Sequence, residues 1–207
     1  MMKRRFLIDT HKGATGPVIL LLIAVYHQWQ NPTAWIYLAL HGTYGVLWVL
    51  KSRIFPDKSW ERKASRFDVV YFWGGMSLYW VAPWLLVSRG VVAAPWYTAV
   101  CISMYTLGVF FHFAADMQKH VALRIEPGRL ITTGLVARCR NVNYFGELLI
   151  YLGFGLLAMH WLPLLILLLV FAFVWLPNMR RKDRSLSRYP EFEAYRRQSR
   201  LFIPFLW

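Results

Sequence analysis

Thirty-two consecutive residues, Leu148 to Met179, contain no Asp, Glu, Lys or Arg. Such a run belongs inside a membrane, and its length limits how it can lie there. As one helix it would extend ~48 Å at ~1.5 Å per residue, whereas a bilayer's hydrocarbon core is only about 30 Å thick. The segment "MHWLP" at 159–163 offers a turn, and Pro163 suits the first turn of a new helix. The run therefore reads as a hairpin of two helices, near 142–160 and 162–179.

The rest of the chain follows the same logic. Lys12 and Lys51 bracket a stretch without formal charge, and Asn31-Pro32 breaks it, a turn signal. Helices are expected near 14–29 and 33–50, then near 68–88 and 95–116. The expected fold class is all-α: a polytopic membrane protein of about six transmembrane helices. It has a helix 5–6 hairpin and a cytosolic helical tail, in one integral membrane domain over 1–207. A composition that is 57% hydrophobic over 207 residues agrees with this.

Charge sets the orientation. The formal net charge is +14, which taken alone suggests a nucleic-acid partner. The basic residues instead lie in short runs between apolar spans, as membrane orientation signals do, so no nucleic acid is expected. With six helices and both termini cytosolic, all Lys and Arg except Arg89 face inward. One helix in place of the hairpin would leave the basic tail outside, against the positive-inside rule. A bacterial inner membrane and contact with its lipids are the expected setting. The N-terminus carries no cleavage signature and reads as a first anchor. Two cysteines imply no disulfide framework. The arginines flanking Cys139 favour a lowered thiol pKa, but no histidine base stands beside it, and a structural role is the leading reading.

A few polar residues stand where apolar ones would be cheaper. Asp116 ends helix 4, Glu147 sits in the second turn of helix 5 and Asp183 follows helix 6. Asn143, Glu147 and Tyr151 share a face at i, i+4, i+8. Arg140 precedes helix 5, and a helix N-terminus beside cations suits a phosphate or carboxylate. Such arginines also serve as orientation signals and lipid partners, and Glu147 also fits a structural ion pair. In helix 2, His41, Tyr44 and Trp48 share a face at i, i+3, i+7, and His41 is expected near mid-membrane. A buried histidine there either bonds the backbone or lines a substrate cavity. His112 and Asp116 repeat the theme at i, i+4. No metal-ligand spacing, phosphate-binding glycine loop or serine elbow is visible.

The segments "ADMQKH", "EPGRLITTGLVARCRNVNYFGELL" and "RRKDRSLSRYPEFEAYRRQSRLFIPF" resemble the C-terminal part of steroid 5-alpha-reductases, sterol reductases and their small bacterial relatives. The same superfamily contains isoprenylcysteine carboxyl methyltransferase, which uses S-adenosylmethionine. The resemblance covers about residues 112–207; residues 1–111 match only as membrane spans that would house the substrate cavity. The methyltransferases show Arg-His-Pro-x-Tyr-x-Gly followed by an aromatic residue. Here Asn143-Tyr144-Phe145-Gly146-Glu147 has the reductase form, while Asn141 and Val142 replace the usual His and Pro. The histidine found in several steroid-reductase tails is absent, and no Glu/Tyr pair for a steroid ketone can be assigned.

The resemblance implies an NADPH pocket lined by Asp116, Lys119, Arg140, Asn143, Tyr144 and Glu147, closed by Arg180, Arg181, Asp183 and Tyr195. Glu147 and Asn143 would hold the nicotinamide carboxamide. The implied activity is NADPH-dependent reduction of a carbon–carbon double bond in a lipophilic steroid-, isoprenoid- or enone-like substrate. Tyr44 or His41 would polarise the acceptor and supply a proton. The alternatives are methyl transfer from S-adenosylmethionine to a lipid or isoprenoid-linked group, and a non-catalytic membrane protein that retains the fold.

Overall fold

A computed structural model describes residues 2–206; the expectation for the two chain ends reaches Met1 and Trp207, which lie outside that range. Six helices carry the apolar sequence: α1 (Arg4–Val25), α2 (Pro32–Ile54), α3 (Arg66–Ser88), α4 (Pro95–Ile125), α5 (Val142–Ala158) and α6 (Trp161–Leu186). A short α7 follows (Phe192–Gln198). The described residues contain no strand, only two isolated bridges. All but α5 of the six are long and apolar enough to cross a membrane. The protein is an all-α polytopic membrane protein, and outward side chains such as Leu168 and Phe173 on α6 are exposed because lipid is their solvent.

The hairpin forms where expected. α5 stops at Ala158, Met159 adopts the left-handed conformation at φ 47°, and His160 Nδ1 accepts from the Leu162 amide. A left-handed residue just past the last turn is a standard helix stop. Three expected boundaries differ, at both ends of α1 and at the end of α4. α1 begins at Arg4 rather than near 14 and ends at Val25 rather than near 29. Its polar first turns are accommodated because Ser52 Oγ donates to Asp9 Oδ2 at 2.6 Å and the Lys12 ammonium lies 4.4 Å from the Tyr44 ring centroid. α4 continues to Ile125 rather than stopping near 116, since no Pro or Gly interrupts it until Pro127-Gly128.

The chain forms two compact units. The first comprises Met1–Tyr105 with Leu152–Ile166. Asn31 caps α2, its Oδ1 accepting from the Thr33 and Ala34 amides, which is why Asn-Pro starts a helix so sharply. α1 and α3 are tied at their first turns by Arg4 to Asp68 at 3.0 Å, and Arg5 meets Glu61 at 2.8 Å. The hydrogen bond from Lys3 holds the Glu61 carboxyl below its usual pKa, with Arg5 adding to the effect. Farther along, Trp80 Nε1 donates to Thr15 Oγ1.

The second unit comprises Thr106–Tyr151 with Leu167–Trp207. Its α4 and α5 segments touch backbone to backbone. A Cβ on Gly146 would lie 2.5 Å from the His112 nitrogen, and one on Gly108 would lie 2.6 Å from the Gly146 oxygen. Small residues are what allow helices to approach this closely in a membrane.

The tail then straps the start of α5. The Arg140 amide donates to the Arg200 carbonyl, and the Arg200 amide donates to the Arg138 carbonyl, both at 2.9 Å. Asn141 Nδ2 donates to the Leu201 carbonyl, and the Cys139 thiol to the Phe202 carbonyl at 3.0 Å. Arg140 anchors the strap: its Nε and Nη2 engage the Asp183 carboxylate and its Nη1 donates to the Ser199 carbonyl at 2.7 Å. Burial pushes the Cys139 thiol above its usual pKa, outweighing the Asn141 amide and the Lys182 and Arg140 charges. The expectation of a lowered thiol pKa is therefore corrected: desolvation wins over neighbouring cations at a site this dry.

Two outcomes are expected. Topology reporters fused after the C-terminal strap and within the Gly90 turn should report opposite sides of the membrane if the expected order of six spans holds; same-side signals would contradict that expectation. Arg140→Ala leaves Asp183 without its buried partner, a loss of about 3–5 kcal/mol. The variant should melt several degrees lower in detergent, and maleimide should label Cys139 far faster than in the wild type.

Candidate functional site

The polar residues of the second unit converge near the α4–α5 contact. Because Gly108 and Gly146 let the two backbones meet, His112 reaches across to the α5 backbone. Its Nδ1 lies 3.1 Å from the Asn143 carbonyl oxygen. A carbonyl only accepts, so this nitrogen carries the proton. Asn143 returns the link, its Nδ2 donating to Asp116 Oδ1 at 3.2 Å. Asp116 Oδ2 stands 4.0 Å from His112 Nε2. An amide, a carboxylate and an imidazole thus sit together, with His112 buried and Asn143 and Asp116 half-buried.

Glu147 is half-buried one turn beyond Asn143. It lies between Tyr144 and Tyr151 along α5, whose ring centroids are 5.8 and 6.1 Å from that of Trp175. Trp175 ends a π-helical stretch of α6, Phe171–Trp175. Such stretches rotate the following side chains relative to an unbroken helix and recur at functional sites.

The basic residues divide into two kinds. Arg140 is 6% exposed and committed to Asp183 and the tail backbone. It holds the site's wall together. Lys182 Nζ donates to the Arg140 carbonyl at 2.6 Å and lies within electrostatic range of Asp116, Lys119 and Asp183. Lys119, Arg180 and Arg181 are exposed. Tyr195 is buried and its hydroxyl donates to the Val136 carbonyl at 2.7 Å; burial pushes its pKa up to about 12. Asp183 and Tyr195 thus have intramolecular partners that brace the tail.

Gln118 was missed by sequence reasoning. Its Nε2 donates to the Thr133 carbonyl and its Oε1 accepts from the Leu135 amide, clamping the loop that leads to Arg140. The only signal was its place between Asp116 and Lys119. Asn141 is fully buried, and its Oδ1 has no hydrogen-bond partner.

His41 and Tyr44 belong to the first unit. His41 lies in a π-helical stretch of α2, Leu38–Gly42. Its Nδ1 is 3.1 Å from the Tyr37 hydroxyl, and its ring stacks on Phe154 at 4.0 Å. Tyr44 is fully buried and its ring receives the Lys12 ammonium.

No protein of curated function matches the sequence. One family model, described as "Protein of unknown function (DUF1295)", matches residues 2–199. That span takes in the Gly108 and Gly146 contact, the Asp116–Asn143–His112 group, Gln118 and the start of the strap. The chain therefore belongs to the DUF1295 family, within the steroid 5-alpha-reductase-like group.

Proposed function

We propose that the protein is a membrane oxidoreductase that uses NADPH to reduce a carbon–carbon double bond in a lipophilic substrate, with the cofactor side facing the cytosol. The observation that supports it best is the hydrogen-bonded Asp116–Asn143–His112 group beside exposed Lys119, Arg180 and Arg181. The donor set fits the cofactor's chemistry. Exposed guanidinium and ammonium groups suit its phosphates through charge-assisted hydrogen bonds. Asn143, with Glu147 one turn on, offers the mix of donor and acceptor that a carboxamide needs.

NADPH, when bound, supplies a hydride equivalent. The chain's own residues orient and shield. Asp116 holds the Asn143 side chain and His112 its backbone carbonyl, so the side chain's remaining hydrogen-bonding capacity points one way. Tyr144, Tyr151 and Trp175 form an apolar wall that keeps water from the reacting atoms. Arg140 and Asp183 keep the strap closed. For the proton that accompanies hydride delivery, Tyr44 and His41 are the candidates on α2.

Two tests follow. NADPH should raise the melting temperature of purified protein. Asp116→Asn and Glu147→Leu should each reduce that rise while leaving the melting point of the ligand-free protein close to wild type. Replacing Arg180 and Arg181 together by Ala should weaken NADPH binding about three- to tenfold, an effect that shrinks with salt because both side chains are exposed. A melting-point rise with S-adenosylmethionine and none with NADPH would replace this reading by methyl transfer. The second test is Tyr44→Phe, which keeps the ring under Lys12 and removes only the hydroxyl. A proton donor at this position predicts about a hundredfold slower turnover or more at unchanged melting temperature; unchanged turnover would leave His41 as the candidate.

A further inference from the structure

The histidines of these helices differ in what their Nδ1 atoms do. His41 Nδ1 meets the Tyr37 hydroxyl, His112 Nδ1 the Asn143 carbonyl, and His160 Nδ1 the Leu162 amide. His11 on α1 differs from all three: it is 2% exposed, and its Nδ1 is buried without a hydrogen-bond partner.

The neighbours of His11, all in the first unit, decide what kind of group this nitrogen is. Its Nε2 lies 3.3 Å from Ser77 Oγ on α3. A serine hydroxyl has a single proton, and Ser77 gives it to the Trp73 carbonyl at 2.6 Å. Ser77 Oγ therefore accepts from His11, and the imidazole proton sits on Nε2. Nδ1 is left as a bare lone pair, which only a donor can satisfy. The ring is held in place. It stacks on Trp80 at 4.5 Å with planes 10° apart, and Trp73 stands edge-on at 5.3 Å. Trp80 is fixed in turn by its bond to Thr15 Oγ1, which itself donates to the His11 carbonyl.

The α3 surface beside this group is open. Gly74 and Gly75 are exposed, and a Cβ on either would meet no atom within 4 Å. They follow Trp73 directly, which leaves that half-buried indole room to swing and admit a ligand from the lipid side. A donor arriving by that route must itself dissolve in lipid.

We propose that His11 Nδ1 accepts a hydrogen bond from the hydroxyl of a lipophilic phenol or hydroquinone that enters from the membrane beside Gly74 and Gly75. The nitrogen selects the O–H group. The two indoles select a flat ring over an aliphatic chain, since aromatic pairs gain more than their buried area. The same logic makes the site blind to quinones and aryl ethers, which offer only acceptors, so it distinguishes a reduced ring from its oxidised form. The site uses neither NADPH nor any residue of the second unit, and it stands or falls apart from the reductase reading.

Purified full-length protein in detergent, without NADPH, is titrated with 4-nonylphenol, with 4-nonylanisole, in which the hydroxyl is methylated, and with 1-dodecanol. Wild type should bind the phenol about five- to tenfold more tightly than the anisole, the ratio expected of one neutral hydrogen bond, and more tightly than the alkanol. His11→Phe keeps a ring to stack on Trp80 and removes both nitrogens. It should bind phenol and anisole alike, with anisole affinity unchanged. Nitrogen-15 spectra of wild type should show one histidine Nδ1 signal that moves with the phenol and not with the anisole, and His11→Phe should lack that signal. Ser77→Ala is the second variant, decisive if His11→Phe does not fold. It removes the acceptor that pins the proton on Nε2, so the preference for phenol over anisole should fall at least about twofold. An undiminished preference in the folded variants, or no preference in wild type, would overturn the assignment. Dodecanol binding as tightly as the phenol would overturn the choice of an aromatic ligand.

Discussion

The second unit depends on one close contact, the approach of the α4 and α5 backbones at Gly108 and Gly146. Lipid provides no hydrophobic drive for helices to associate, so packing at short range must do it. Here the short range also carries the polar chemistry. With a side chain at either position the helices would separate, and His112 Nδ1 would no longer reach the Asn143 carbonyl. Asp116 would lose Asn143 for the same reason. A structural glycine and a polar group one turn away are therefore parts of one device, in which the packing sets the hydrogen bonds.

The strap is a second layer of the same design. The loop before α5 has only a short 3-10 turn, Gly134–Val136, of its own, and Gln118 supplies one clamp while the tail supplies the other. Arg140 is well suited to this because its planar fork can meet a carboxylate and backbone carbonyls together. The consequence for the site is a difference among its cations: the buried Arg140 secures the wall, whereas Arg180 and Arg181 on α6 are exposed. Cys139 shows how dry the strapped loop is, since two nearby positive charges fail to offset its burial.

Much of this architecture was legible in the sequence because membrane constraints are severe. The uncharged run from Leu148 to Met179 exceeds one span, so the turn at Met159 had to exist. The closeness of His112 and Asp116 was legible from their i, i+4 spacing, whereas the bond from Asn143 to Asp116 links different helices and was not. Other features were illegible for physical reasons. The true start of α1 was hidden because Asp9 and Lys12 look like loop residues until Ser52 and Tyr44 are seen beside them. The inward turn of Arg140 was hidden because its partner Asp183 lies 43 positions away, and a cation in a basic loop reads as exposed by default.

The strap also sets an order in time. The guanidinium of Arg140 and the Ser199 carbonyl it binds are 59 residues apart. At ~5–20 residues per second, a ribosome needs roughly 3–12 s to bridge that gap. During that interval α5 and α6 are synthesised, while Arg140 still lacks the tail residues it will bind. The same side chain thus passes through two lives. Before the tail is made it is a cation without Asp183 or Ser199, and after the tail arrives it becomes an interior brace. Closure of the second unit is consequently among the last events of folding, and the nascent chain carries the α5 segment before it carries the wall that encloses it.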